Sequence, residues 1–306
     1  MKPLFPYATE LTAIAIAYKN ISYIADSVLP RVPVGKKEFK YYEFPLSEGF
    51  TIPHTAYPKK GKPNEVEFSG VEKVEKTLDY GLDDIISNDD IANSPEGYDP
   101  KAFSVQSITD LIALDREVRA ANILFNAANY ALDKQIVLSG SSQFSDPTSD
   151  PLGVITEALD ACLIRPNTMT IGRAAWSVLM RHPDIIKATQ RNAGDTGIAS
   201  LAAVAELFEL QNIYVGESYF NTARKGQNVT LSRVWGKHIA LTYINPLANS
   251  QGGITFGFTA QYGTKVAGSQ PEDAGINGSE RVRCAESVKE LIVAPDCGYF
   301  IENAVA

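Results

Sequence analysis

Cysteine and histidine are scarce in this chain, at three residues each among 306, and that scarcity excludes several kinds of protein. Cys162, Cys284 and Cys297 are too scattered for a disulfide framework, and no pair has metal-ligand spacing, so a reducing setting is expected. Cys162 falls on the apolar face of an expected helix and reads as a buried thiol. His54 lies in a proline-rich stretch, His182 precedes Pro183 at an expected helix break, and His238 lies in an expected strand. None has a carboxylate at helical or strand spacing to orient it, so all three read as structural. Positive charge is in deficit, with 28 Lys and Arg against 36 Asp and Glu for a net charge of -8. A nucleic-acid reader gains its affinity from a cationic surplus, so sequence-specific DNA binding is not expected, although a protein that merely surrounds DNA remains compatible. Long apolar runs are missing too. Residues 11–18 come nearest to a signal-peptide core, but Glu10 precedes them and no small-residue cleavage site follows. No run approaches the length that crosses a bilayer, so neither export by that route nor a membrane partner is expected. Nucleophile elbow, Walker loop, dinucleotide fingerprint and zinc-protease helix are all absent, and Gly140-Ser141-Ser142 has the wrong spacing for a serine nucleophile. No catalytic residue, metal site or cofactor is assigned.

What is present is an ordinary globular composition, 44% apolar and 21% charged, in a chain long enough for one elaborate domain or two modest ones. Its most regular stretch runs from Phe103 to Ile136. Leu111, Leu114, Val118, Ala121, Phe125, Ala128 and Leu132 recur at alternating spacings of three and four, while Asp110, Arg116, Glu117 and Asn126 fall mostly elsewhere. This pattern predicts one long amphipathic helix with a single buried seam. Asp99-Pro100 turns the chain into it, Ser107 with Asp110 resembles a capping box, and Ser139-Gly140 ends it. At about 1.5 Å per residue the helix would reach roughly 45 to 50 Å.

Upstream, Pro3, Pro6, Pro30 and Pro33 bracket a helix-like run from Leu11 to Val28, which predicts an arm lying on a surface. From Lys36 to about Leu82 the alternation of Phe39 to Phe44 and of Glu65 to Phe68 predicts a long hairpin. Its tip is stiffened by Pro53, Pro58, Gly61 and Pro63. A two-stranded ribbon is not self-supporting in water, so it should rest on a partner surface. Lys59, Lys60 and Lys62 at the tip could meet acidic groups on a neighbour. Asp83, Asp84, Asp89 and Asp90 read as a solvated acidic helix end or turn, because no calcium-loop pattern accompanies them.

Downstream, residues 151–250 alternate helix and strand: helices at Leu152–Leu163, Ala174–Thr189 and Ser200–Leu210, and strands at Thr168–Ile171, Asn212–Val215 and Trp235–Ile244. The loop Arg191–Gly197 between the second and third helices is polar and glycine-containing, and so is expected to be exposed. Strand-like Ile254–Tyr262 and Arg281–Val293 flank a loop from Gly268 to Ser279, and Tyr299–Ala304 closes the chain.

Arm, projecting hairpin, long helix, α/β unit, second hairpin and terminal strand, in that order, resemble the major capsid proteins of tailed bacteriophages, the Hong Kong 97 fold, over nearly the whole chain. The stretches ITDLIALDREVRAANILFNAANYALDKQIVLSG and MTIGRAAWSVLMRHPDI are similar to capsid proteins of Mu-related transposable phages. The resemblance implies an α+β chain divided as N-arm 1–35, E-loop 36–82, P-domain with spine helix 83–150, A-domain 151–250, P-domain hairpin and P-loop 251–290, and a C-terminal strand 291–306 in the A-domain. It implies a structural role as a homo-oligomer, in hexamers and pentamers of an icosahedral head. That head would be assembled in the host cytoplasm and would enclose double-stranded DNA without reading it. A separate scaffolding protein, a portal and minor or decoration proteins are its expected partners. The intersubunit contacts it implies are Pro58, Lys59, Lys60, Gly61 and Lys62 at the E-loop tip, Arg191, Asn192, Gly194 and Asp195 in an axial loop, and Gln270, Pro271, Glu272 and Asp273 in the P-loop. No recognisable catalytic acid lies near the tip lysines, so no cross-link is assigned. An encapsulin-type compartment shell is the alternative within the same fold, and a small-molecule α/β enzyme is the alternative from another class.

Overall fold

Residues 5–43, 52–57, 61–62, 64–65, 71–190, 197–224, 226–250 and 252–306 are described by a computed structural model. The first half runs α1 (Thr9–Ala17), α2 (Ala25–Val28), β1 (Arg31–Val34), β2 (Glu38–Glu43), β3 (Val71–Lys76), β4 (Leu78–Ser87), α3 (Asn88–Ala92) and the long helix α4 (Pro100–Leu124). After it come β5 (Gln135–Val137), α5 (Pro151–Ala161), β6 (Thr168–Gly172), α6 (Arg173–Leu179), α7 (Pro183–Thr189), α8 (Leu201–Leu207) and β7 (Asn212–Gly216). The chain closes with β8 (Tyr219–Asn221), β9 (Leu231–Arg233), β10 (Ile239–Thr242), β11 (Gly257–Glu272), β12 (Ser279–Ile292) and β13 (Gly298–Glu302).

Helix α4 starts earlier and stops sooner than its periodicity predicts. Asp99, not Ser107, is the N-cap: its carboxylate accepts from Lys101 N, and Pro100 occupies the first turn, where a missing N–H costs nothing. The helix ends at Leu124 without glycine or proline because asparagines take over its backbone. Asn126 accepts from Ala128 N to open a separate 3-10 turn, Asn129 Nδ2 donates to Ile123 O, and Tyr130 OH donates to Leu124 O, so the terminal carbonyls stay satisfied. Its 25 residues span about 37 Å.

The buried face of α4 is also rotated from the predicted seam. Val105, Ile108 and Ile112 pack with Ala267, Val282 and Cys284 and with Leu11 and Ala15 of α1. Further along, Ala120, Ala121 and Leu124 pack with Trp235, Phe256 and Phe300. Of the predicted seam, Ala121 is buried, whereas Leu111 is 54% exposed and Leu132, beyond the helix end, is 91% exposed. Arg116 and Glu117, expected outside, are 2% and 0% exposed.

Two sheets flank this helix. The first has the order β1-β11-β12-β4, with β1 parallel to β11 and the rest antiparallel; the second has the order β5-β13-β10-β6-β7. The second sheet and α5 to α8 share one core built on Ile155, Leu159, Met169, Ile171, Leu179 and Leu241. The helix predicted over 174–189 is broken by Pro183, and His182 Nδ1 accepts from Asp184 N to cap α7. The loop predicted at Gly268–Ser279 shortens to 273–278, because β11 and β12 stay paired out to Glu272 and Ser279. β11 loses its β1 partner after Tyr262, so Pro271 sits where one edge of the strand is open and a proline is tolerated.

The N-terminal arm does more than lie on a surface. Val28 and Leu29 are 1% and 0% exposed, and β1 extends the first sheet. Gly268 admits the arm, because a Cβ there would stand 2.0 Å from Pro6 O. In the first hairpin the β2–β3 ladder pairs Glu38–Glu43 with Val71–Lys76, and Phe39 and Tyr41 are buried against Val32, Val34 and Phe258 of the same chain. The base of the ribbon therefore rests on its own sheet. The predicted strand residues 66–68 lie outside the described residues.

Candidate intersubunit surfaces and the junction behind them

Projecting surfaces are useful only if the subunit holds them at fixed angles, and one carboxylate sits where its parts meet. Glu117 Oε1 accepts from Ile24 N at 2.9 Å and from Trp235 Nε1 at 2.6 Å, and Oε2 accepts from Ala25 N at 2.8 Å. Ile24 and Ala25 open α2 of the arm, Glu117 belongs to α4, and Trp235 precedes β10 of the second sheet. Three parts of the chain thus converge on one acidic side chain. Burial pushes the Glu117 carboxyl above its ordinary range, while the Ile24, Trp235 and Ala25 donors pull it back. Gly216 keeps this junction close, since a Cβ on it would meet the Trp235 side chain at 2.1 Å.

One residue earlier, Arg116 ties α4 to the first sheet. It pairs with Asp26, donates from Nη2 to Leu29 O at 3.2 Å and to Thr259 Oγ1 at 3.0 Å, and lies 3.7 Å from Glu290. Arg31 reaches Asp26 and Glu286, each at 2.7 Å. Burial raises the Asp26 carboxyl, but Arg116 and Arg31 outweigh it and hold the group below its usual range. Arg119 pairs with Glu290 at 3.0 Å and lies over the Tyr80 ring at 3.6 Å. Asp110 straps the arm further up, accepting from Asn20 Nδ2 at 2.8 Å and Tyr18 OH at 3.1 Å. The sequence reading missed this junction. Two adjacent charges inside an otherwise apolar period were its only signal.

The predicted contact residues divide three ways. Gly61 and Lys62 are exposed, whereas Pro58, Lys59 and Lys60 lie outside the described residues. Arg191, Asn192, Gly194 and Asp195 also lie outside them; of the flanks, Gln190 Nε2 donates to Ile198 O at 3.0 Å and so ties the two ends of that loop together. Gln270, Pro271 and Glu272 belong to β11 rather than to a loop, and Asp273 begins the exposed turn. Glu272 takes both ends of Arg281 at 2.8 Å, and Asp83 takes Arg281 at 2.9 Å and Arg283 at 2.6 Å, so the stem of this hairpin is an ionic ladder across three strands. Asp83 is thus an ion-pair partner and Asp84 accepts from Ser104 Oγ at 2.6 Å, rather than lying in a solvated turn.

Nothing among the described residues forms a metal-holding group of three His, Cys, Asp or Glu. Burial raises the thiols of Cys162 and Cys284 to about 11 and that of Cys297 to about 12, so all three are protonated at neutral pH. His238 is half-buried between Phe125 and Phe300, accepts from Asn303 N at 3.1 Å, and is held below its ordinary pKa by burial.

No family model matches the chain. Solved structures show the class. A phage-related protein from Bordetella bronchiseptica superposes with a TM-score of 0.78 at 23% identity over 99% of both chains. A putative prophage capsid protein from Escherichia coli CFT073 does so with 0.58 at 12% identity over 98% of this chain and 99% of that one. The fold is that of the Hong Kong 97 capsid proteins. Among curated relatives, the major capsid protein of Pseudomonas phage JBD67 is 50% identical over 99% of this chain and 98% of its own length. That of Burkholderia phage BcepMu is 29% identical over 96% and 95%. The chain belongs to the phage major capsid proteins, and its role is structural, in the shell of a virion.

Proposed function

We propose that this chain assembles through hexamers and pentamers into an icosahedral phage head around double-stranded DNA, without catalysis and without reading base sequence. The observation that carries the reading is the 50% identity to a phage major capsid protein along essentially the entire chain. The physical features agree with it. A ladder of six residue pairs joins Glu38–Glu43 to Val71–Lys76 as a two-stranded ribbon, a form that is not self-supporting in water. The net charge of -8 gives an inner wall no general attraction for phosphate. In this reading residues 1–35 are the N-arm, 36–82 the E-loop, 83–150 and 251–290 the P-domain with its P-loop, and 151–250 with 291–306 the A-domain. The loop around Arg191 and Asp195 faces a capsomer axis. Identical chains in rings of five and six cannot keep identical contacts there, and a polar loop adapts more readily than a packed core. Assembly takes place in the host cytoplasm with a separate scaffolding protein, a portal and minor or decoration proteins as partners.

Deleting residues 50–63 tests the reading. The truncated protein is expected to be soluble, with its two sheets intact by circular dichroism, and to form no closed particles in negative-stain images. Normal particles from this deletion would overturn it.

A further inference from the structure

Strands β11 and β12 pair out to Glu272 and Ser279, and residues 273–278 form the tip that joins them. Part of that tip is tightly held: Ala274 N donates to Glu272 O at 3.0 Å, and Ser279 Oγ donates to Ala274 O at 2.7 Å. Its far end is Ile276-Asn277-Gly278, the one place in the sequence where glycine follows asparagine. Ile276 is fully exposed, and Asn277 is exposed beside it. Gly278 has a φ of 74°, in the left-handed region that glycine enters without steric cost, and its N–H donates to no acceptor among the described residues. Both residues dock on the start of α3. Asn277 Nδ2 donates to Asp89 Oδ1 at 2.8 Å, Asn88 Nδ2 donates to Asn277 O at 2.9 Å, and Asn88 N donates to Gly278 O at 3.2 Å.

We infer that Asn277 is a site of deamidation and that Asp89 sets its pace. An asparagine amide is lost when the backbone nitrogen of the next residue reaches its side-chain carbonyl carbon, a route that makes asparagine thermolabile. A side chain on that next residue hinders the approach, and Gly278 has none. The Gly278 nitrogen loses its proton to solvent base and bonds to Asn277 Cγ; the Cγ–Nδ2 bond then breaks, and ammonia leaves with a proton taken from water. The succinimide ring so formed takes up one water molecule and opens at either carbonyl, giving aspartate or isoaspartate, with nothing oxidised or reduced. Asp89 opposes the first step, because its carboxylate holds Nδ2 and restrains the swing of the amide that ring closure requires. The product has consequences for the tip. Aspartate puts a carboxylate where Nδ2 faced Asp89, so an attraction becomes a like-charge repulsion, and isoaspartate also lengthens the backbone by one carbon. Either product weakens the tie between this hairpin tip and α3.

The test follows the purified full chain kept warm in mildly alkaline buffer, with samples digested at the start as the background from handling. Trypsin releases residues 266–281 as one peptide, in which Asn277 is the one asparagine. This peptide is expected to gain the mass of an NH₂-to-OH exchange, with fragment ions placing the change at residue 277, and to become a substrate for isoaspartyl methyltransferase. The synthetic 266–281 peptide, incubated alongside, gives the rate without the fold. Asp89→Ala leaves the α3 cap in place, since Ser87 Oγ accepts from the Asp89 backbone. It is expected to speed conversion in the full chain about threefold to tenfold, the factor for an exposed hydrogen bond that no longer has to be loosened. Asp89→Asn keeps an acceptor oxygen and is expected to stay close to the wild-type rate. An unmodified peptide from both the wild-type and the Asp89→Ala chains, at a time when the synthetic peptide has converted, would overturn the site. Equal rates in those two chains would overturn the role given to Asp89.

Discussion

Removing the Glu117 carboxylate should loosen the arm, the long helix and the second sheet together. Glu117→Ala strips the acceptor from Ile24 N, Ala25 N and Trp235 Nε1, all buried behind a residue that is 0% exposed. Each orphaned donor costs about 1 to 3 kcal/mol, so three give a gross loss of about 3 to 9 kcal/mol. Against this, the buried carboxylate carries a desolvation cost of several kcal/mol that the substitution recovers. The net expectation is a destabilisation of about 3 to 4 kcal/mol. Trp235→Phe removes one donor and leaves the carboxylate its two backbone partners, so it should cost only about 1.5 to 3 kcal/mol. Because both substitutions delete the same contact, the double variant should fall short of the sum by about 1 to 3 kcal/mol.

Urea unfolding at fixed protomer concentration, followed by circular dichroism, reads these differences, since association would otherwise shift the midpoint. Tryptophan emission in a Trp176→Phe background, which leaves Trp235 as the one indole, gives a second readout and should move to longer wavelength in Glu117→Ala as that indole loses its buried partner. Glu117→Gln separates charge from shape: its amide NH₂ must face one of the donors, so it should lose about 2 to 3 kcal/mol despite filling the same volume. Coincident midpoints for wild type and Glu117→Ala, or strict additivity with Trp235→Phe, would refute the idea that this carboxylate joins the three parts.

The rotation of α4 can be tested on neighbouring residues. Ile112→Ala should cost about 2 to 4 kcal/mol, and Leu111→Ala less than about 0.5 kcal/mol in unassembled protein; equal losses would place the seam wrongly. The pH dependence carries two signs. Glu117 is raised in the folded state, so that state holds its proton more readily. The wild-type advantage over Glu117→Gln should therefore narrow as pH rises from the ordinary Glu range through the raised value. Asp26 is lowered, so the wild-type advantage over Asp26→Asn should be full above the ordinary Asp range and fade as pH falls through the folded value. Stability profiles of the two variants with the opposite slopes would contradict the assigned environments.

Elements whose identity depends on near neighbours were legible in the sequence. The helix at Pro151–Ala161, the strands at Thr168–Gly172 and Asn212–Gly216, and the break at His182-Pro183 follow from local period and proline chemistry. What was not legible depended on distant partners. Arg116 and Glu117 read as solvent-facing because nothing within a helical turn satisfies them, yet Asp26, Thr259 and Trp235 do so from at least 90 positions away. The short strands β5 and β8 have too few residues to show a period and exist through their pairing.

The misplaced seam has a physical reading of its own. Helix α4 carries two apolar stripes: Val105, Ile108, Ile112, Ala120 and Leu124 face the subunit, while Leu111, Leu114 and Val118 lie on the side the subunit covers less. Period alone cannot rank them, because both satisfy the spacing of a buried face. A monomer gains nothing from the second stripe, which only adds exposed apolar surface and the risk of unspecific association. In a shell protein it has a use, because burial withheld from the subunit remains available to the assembly. The seam chosen from the sequence then answers a different question from the one posed. It marks where neighbours should meet, and the Leu111→Ala variant, unchanged as an unassembled chain, should show its cost when shells are challenged with denaturant.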